Sequence, residues 1–268
     1  MAWDSVLGVL NHYRLGRGEP LVLIHGIGSR WQMWEPVLGD LVTRHEVIAL
    51  DLPGFGISPM PPPGTPPGPA SLVSLVLEFL DGLGIHEPHA AGNSLGGLIV
   101  LEMARQGRVR SATALSPAGF ASRFETAVTR ALLLTSVRVA RALAGHAERL
   151  LATPTARQLA LNAFMARPAN LSVSEAAGSV RALAAAPWFD ATLPTLAPML
   201  FSGGEGIAVP TTVAWGDKDR VLPPRQSARA AKAIPSARVL SLEGCGHVPT
   251  YDDPDRVARI LLQRTGAG

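Results

Sequence analysis

The chain is predicted to be an α/β protein, with a mostly parallel sheet covered by helices on both faces. Three observations predict it. Continuous apolar runs such as PLVLIHG (Pro20 to Gly26) and HEVIALDLPGFG (His45 to Gly56) stop at glycine, as strands buried on both faces do. Between them, WQMWEPVLGDLV carries Trp31, Trp34, Val37 and Leu38 at helical spacing. Further on, GNSLG (Gly92 to Gly96) stands where a strand passes directly into a helix.

The elements follow in order. VLNHYRL (Val9 to Leu15) alternates like an edge strand and is turned by Gly16 to Gly18. After the first two buried strands, PMPPPGTPPGPA (Pro59 to Ala70) can be neither helix nor inner strand, because proline fixes φ and removes donors; it reads as a surface loop with polyproline character. The alternation then resumes with the helix ASLVSLVLEFLDGLG, the strand PHAAGNS, the helix LGGLIVLEMARQG and the strand VRSATALSP. From Phe120 to about Gly206 the chain is rich in Ala, Leu and Arg with helical periodicity, and nothing in it reads as a long strand. Sheet chemistry returns with VPTTVAWGDKD, followed by the helix RQSARAAKAI, the strand SARVLSLEG and the helix PDRVARILLQR. This order predicts one α/β core, residues 1–119 and 207–268, interrupted by a helical insertion over 120–206.

Composition excludes several functions. A net charge of +3, with no Lys/Arg-rich block, argues against a nucleic-acid partner. Asp4, Asn11 and His12 interrupt the first fifteen residues, so no signal-peptide centre is expected, and no run is long enough for a membrane span. Cys245 is the only cysteine, which rules out an intrachain disulfide and a thiolate metal cluster. A reducing cytoplasm fits, with Cys245 as a small buried apolar residue.

The chemistry centres on Ser94. A strand-to-helix turn forces it into strained backbone angles and projects its hydroxyl from the carboxyl edge of the sheet; side chains two residues either side would collide, hence Gly92 and Gly96. The N–H of Leu95, at the helix start, has no acceptor inside the helix and faces a developing oxyanion. A base is expected at His247, in the glycine-rich loop EGCGHVP after the last apolar strand. His86 and His89 lie toward the opposite end of the sheet, and His12, His45 and His146 are expected to be solvated or packed. AWGDKDRVLPP offers Asp217 and Asp219 as the carboxylate that orients the imidazole. In HGIG, the N–H of Ile27 supplies a second oxyanion donor, while His25 holds the loop. Two such donors contribute roughly 3 kcal/mol each to the transition state.

HGIG, DLPGFGIS, GNSLGG, WGDKDRVLP and GCGHVP, in that order and spacing, resemble the α/β-hydrolase superfamily in its lid-bearing esterase and carbon–carbon-bond hydrolase branch. The resemblance covers Leu21 to Leu262 apart from the helical insertion. It implies an eight-stranded, mostly parallel sheet, a helical lid after the sixth strand, and a triad in the order Ser, Asp, His. In the family pattern the acid is the last residue of G-x-x-D, which selects Asp219. The implied function is a serine hydrolase of an ester, or related acyl bond, in a medium-sized, mostly apolar small molecule. The lid aromatics Trp188, Phe189 and Phe164, with Met165, are candidate pocket walls.

No cofactor or metal is implied, and monomer and homodimer are both open. An epoxide hydrolase of this fold would carry an aspartate where Ser94 stands. The alternatives are carbon–carbon cleavage of ring-fission diketones, cofactor-independent lyase or oxygenase chemistry, and ligand sensing. Against the first, Val248 replaces the tryptophan usual after the catalytic histidine, and HGIGSR lacks the glycine- and proline-rich oxyanion loop of that branch.

Overall fold

A computed structural model describes residues 10–196 and 200–264. Seven strands form one sheet: β1 (His12–Leu15), β2 (Glu19–Ile24), β3 (His45–Leu50), β4 (His89–Asn93), β5 (Ser111–Leu115), β6 (Thr211–Gly216) and β7 (Arg238–Leu242). Their spatial order is β1-β3-β2-β4-β5-β6-β7, with β1 antiparallel to β3 and every other pair parallel. The expectation of eight strands is not met within the described residues. The first nine residues, where a strand ahead of β1 would lie, fall outside them, as does Val9 of the expected edge strand. In the seven-strand count the helical segment follows the fifth strand rather than the sixth, and β6 then pairs directly with β5.

Alternation along the central strands builds two cores. Leu21, Leu23, Val47 and Ala49 pack on one face with α1 (Glu35–Leu41), which follows a 3-10 turn at Trp31–Trp34, and with residues 257–261. Val22, Ile24, Ile48 and Leu50 pack on the other face against α2 (Pro69–Gly82) and α3 (Leu95–Arg105). Pro69 opens α2 at a position where a missing N–H costs nothing, so the proline-rich loop ends by starting a helix.

Between β5 and β6 run α4 (Arg123–Leu143), α5 (Ala147–Leu150), α6 (Pro154–Leu161), α7 (Val173–Ala184) and α8 (Phe189–Thr192). The sequences SRFE and SVSE set two of the starts. Ser122 and Ser172 accept from the N–H groups of Glu125 and Glu175, whose carboxylates bond back to the serine N–H groups. Prolines at 154, 168 and 187 break the periodic run into these short pieces. A small core of Leu151, Leu161, Met165, Leu171 and Ala176 holds the segment together. The chain then continues through α9 (Ser227–Ala233), α10 (Pro249–Asp252) and α11 (Pro254–Arg264), the last packing beside α1. No helix among the described residues is long and apolar enough to cross a membrane.

Candidate active site

The sheet order puts the sequence-predicted residues together before any side chain is considered. The direction of travel along the strand order reverses between β2 and β4, the position where open parallel sheets form a crevice at their carboxyl ends. Ile24 of β2 pairs with Gly92 of β4, so the loop after Ile24 meets the turn after Gly92. A Cβ placed on Gly26 would stand 3.1 Å from Cβ of Ser94.

Ser94 has φ 58° and ψ −115°, a conformation that L-residues avoid. The turn is tight on both sides. A Cβ on Gly92 would fall 2.2 Å from the carbonyl oxygen of Gly96, and one on Gly96 would fall 2.2 Å from that of Ile24. The two glycines are thus required for different reasons: Gly92 by the turn itself, Gly96 by close packing of α3 on β2. Ser94 is anchored through its backbone, its N–H bonding to Leu115 O at 3.0 Å and its own carbonyl accepting from Leu98 and Ala118.

The β6 and β7 ends meet in the same way. Gly216 pairs with Leu242, and beyond them Asp217 N–H donates to Leu242 O (3.1 Å) and Lys218 N–H to Cys245 O (2.9 Å). The two candidate acids separate cleanly. Asp217 turns away and accepts from Gly244 N–H at 2.7 Å, with Lys218 at 3.2 Å. Asp219 is buried; its Oδ1 accepts from Val221 and Leu222 N–H at 2.9 and 2.8 Å, and its Oδ2 accepts from His247 Nδ1 at 2.8 Å. A carboxylate fixed by two backbone donors holds Nδ1 protonated and leaves Nε2 as the basic nitrogen.

Ser94 and His247 line one cavity of about 180 Å³, together with Ile27. Leu95 is not among the lining residues: its side chain is buried in the core, and only its N–H at the start of α3 is available to the site. The walls are mostly apolar, with Leu133, Leu161, Phe164, Met165, Leu183 and Leu222. A polar patch of Arg30, Gln32, Ser179 and Tyr251 interrupts them. Burial pushes the Tyr251 phenol up to about 12. Of the candidate wall residues, Phe164 and Met165 line the cavity and Trp188 and Phe189 do not. The latter two fasten the helical segment to the sheet loops, Trp188 N–H bonding to Gly54 O at 3.2 Å and Phe189 packing in the main core. Trp34 packs beneath the sheet and Trp31 stacks on Tyr13, so neither reaches the cavity.

Two further histidines are held by structural partners. His25 is fully buried, its Nδ1 bonding to Gly26 O (2.7 Å) and its Nε2 accepting from Leu52 N–H (2.9 Å), so the ring clamps the loop that carries Ile27. Burial lowers its pKa, against the pull of nearby Asp51. His89 bonds to Ser111 and Glu19 at the opposite end of β4 from Ser94. Cys245 is buried, and burial beside Asp252 pushes its thiol up to about 12.

Three residues that frame the site escape a reading by motif. Asn93 donates through Nδ2 to both Leu115 O (3.1 Å) and His247 O (2.8 Å), fastening the histidine loop to the strand that carries Ser94. Asp51 accepts from Trp31 N–H, Ile57 N–H and Asn11 Nδ2, joining the loop beyond Ile27 to the end of β3. Asp252 accepts from Gly246, Ala166 and Arg167 N–H groups. Asn93 and Asp51 stand inside the motifs GNSLGG and DLPGFGIS and Asp252 five residues after His247, but nothing in the sequence marks what their side chains bond to.

The model of the alpha/beta hydrolase family matches residues 21–260. An epoxide hydrolase, EphH, of Mycobacterium tuberculosis is 34% identical over 200 residues, covering 72% of this chain and 92% of that protein. A putative carbamate hydrolase, RutD, of Azorhizobium caulinodans is 31% identical over 265 residues, covering 92% and 91%. Among solved structures, a bacterial membrane phospholipase A matches with a TM-score of 0.75 at 25% identity, over 96% of this chain and 82% of that one. The chain belongs to the alpha/beta hydrolase family and is an enzyme of the hydrolase class.

Proposed function

We propose that the protein is a serine hydrolase that cleaves an ester, or a related acyl bond, of a medium-sized, mostly apolar small molecule. Ser94 is the nucleophile, His247 the base and Asp219 the orienting acid. The observation that carries this reading is the pairing of buried His247 with a carboxylate already fixed by two backbone donors, beside a strained serine on the same cavity. His247 Nε2 takes the proton of Ser94 as the hydroxyl oxygen attacks the carbonyl carbon. The N–H groups of Ile27 and Leu95 hold the oxyanion, and Asp219 stabilises the imidazolium. The imidazolium then gives its proton to the leaving group, and water, activated by the same nitrogen, releases the acyl group and restores Ser94.

Residues 120–206 act as a lid whose inner side sets the substrate. Leu133, Phe164, Met165 and Leu183 present an apolar wall to the acyl or ring portion, and the patch at Arg30, Gln32 and Tyr251 suits one hydrogen-bonding substituent. A serine at the nucleophile position favours acyl chemistry over the epoxide opening for which one relative is named. The carbamate bond for which another relative is named is itself an acyl bond open to the same attack.

The test is a para-nitrophenyl ester series run beside a synthetic ring-fission dienone, with fluorophosphonate labelling of the parent, Ser94→Ala and His247→Ala. Ester turnover and labelling that vanish in both variants are expected. Faster turnover of the dienone would instead assign carbon–carbon cleavage, and absence of labelling would remove the nucleophile.

A further inference from the structure

One buried carboxylate joins the histidine loop to the wall of the cavity. Asp252, at the end of α10, accepts three backbone N–H bonds: Oδ2 from Gly246 at 2.7 Å and from Ala166 at 2.9 Å, and Oδ1 from Arg167 at 2.7 Å. It is only 7% exposed. Gly246 immediately precedes His247, while Ala166 immediately follows Phe164 and Met165, two residues of the cavity wall. On the other side of His247, Val248 N–H donates to Phe164 O at 2.9 Å. No side chain fits between the two stretches, since a Cβ on Gly246 would fall 2.9 Å from Ala166 N. Arg220 adds a third link through Asn162 O at 3.0 Å, from the loop that carries Asp219. The stretch 162–167 belongs by sequence to the helical segment, yet its bonds run to both loops that carry His247 and Asp219.

We propose that Asp252 is a positioning residue that makes residues 162–167 and the His247 loop a single body, so that chain-length preference and the strength of the base are set together. The proposal rests on the reading of His247 as base to Ser94. Its chemistry is specific to a carboxylate. Three converging donors need two acceptor oxygens, and an amide at this position turns an N–H against an N–H. Asp217 is the natural comparison. It holds the same loop from the far side, through Gly244 N–H, with its neighbour Lys218 beside its other oxygen, and among the described residues it makes no bond to the helical segment.

The experiment compares Asp252→Asn and Asp217→Asn with the parent over para-nitrophenyl esters of increasing acyl length. It reads kcat and KM separately, the pH profile of kcat/KM, and amide hydrogen exchange. For Asp252→Asn the expected result is a loss in kcat/KM of roughly 10- to 100-fold, the scale of a reacting group misplaced by about an ångström. With it come a changed order of preference among the esters, a displaced acidic limb of the pH profile, and faster exchange of 162–167 and 244–248 together. Asp217→Asn should slow all esters by one common factor and leave the exchange of 162–167 unchanged. The proposal is overturned if Asp252→Asn slows every ester equally, or frees one stretch without the other. Should that variant not fold, Asp252→Glu keeps the charge, displaces it by one methylene, and is judged by the same readouts. Were the parent to hydrolyse no ester and resist fluorophosphonate, the nucleophile reading would fall while the exchange data still decide whether Asp252 joins the two stretches.

Discussion

The rim of the sheet and the helical segment that faces it are held by different forces. At the rim, Ser94 lies one residue beyond β4, Asp219 three beyond β6 and His247 five beyond β7, so strand register fixes where each begins. The local links are backbone bonds and glycine close approaches, which allow little adjustment. The helical segment meets the core largely through side chains far apart in sequence, with Thr129 Oγ1 to Val221 O at 2.7 Å and Glu125 to Arg225 and Arg229; backbone bonds join it at only a few points, among them Phe164 to Val248 and Trp188 to Gly54. The part of the wall held this way, at Leu133 and Leu183, can be rebuilt by single substitutions without disturbing the strand ends, whereas 162–167 is bonded to the His247 loop. On the function proposed above, the contrast would put reaction type at the rim and much of substrate choice in the segment.

The largest effect should come from breaking the rim. Ser94→Ala is expected to lower kcat/KM by at least about 10⁴-fold, leaving only what binding and the oxyanion donors supply. Steady-state ester hydrolysis with active-site titration checks it. Next, Asp219→Asn should cost about 10⁴-fold in kcat by favouring the wrong imidazole tautomer, while Asp217→Asn costs less than about tenfold. Equal losses in the two variants would erase the distinction between neighbouring acids. Both effects should exceed any change in the wall.

In the segment, Leu183→Ala removes an apolar wall residue that also packs over Gly28. It is expected to shift the ratio of kcat/KM between long and short acyl esters by about tenfold toward the longer ones, with acetate turnover nearly unchanged. The smallest catalytic effect is reserved for Glu125→Gln. Burial raises the pKa of Glu125, but the Ser122 N–H and the guanidinium groups of Arg225 and Arg229 outweigh it and hold the carboxyl below its ordinary 4.5. A depressed carboxylate stabilises the fold above its unfolded pKa and loses that contribution as pH falls through the folded value. Glu125→Gln should therefore lower Tm by roughly 2–6 °C near neutral pH, and the gap should close below pH 4.5. Calorimetry across that range tests it, and short-ester kinetics should barely move.

Much of the strand–helix order was legible, because the apolar runs are buried on both faces and end at glycine. The meeting of the β6 and β7 ends also follows from sequence order, since adjacent parallel strands deliver their loops to one edge. Choosing Asp219 over Asp217 was not legible from the residues, as only the direction of each carboxylate separates them; the family resemblance was needed. Asn93 and Asp252 stayed hidden because their partners lie 154 and 85 residues away along the chain and are backbone groups without a sequence signature. Trp188 and Phe189 were candidates for the wall and instead clamp the segment to the core. Aromatic content shows that a helix buries something, not which way it faces.

His25 gives the molecule an acid threshold of its own. Its imidazole is locked as the neutral Nδ1–H form, because Nε2 must remain a lone pair for the amide of Leu52. Protonation would set two positive hydrogens against each other in a dry interior and release the bend that aims Ile27. Because burial holds the ring's pKa below that of an ordinary histidine, this scaffolding gives way only in stronger acid than an exposed imidazole needs to protonate.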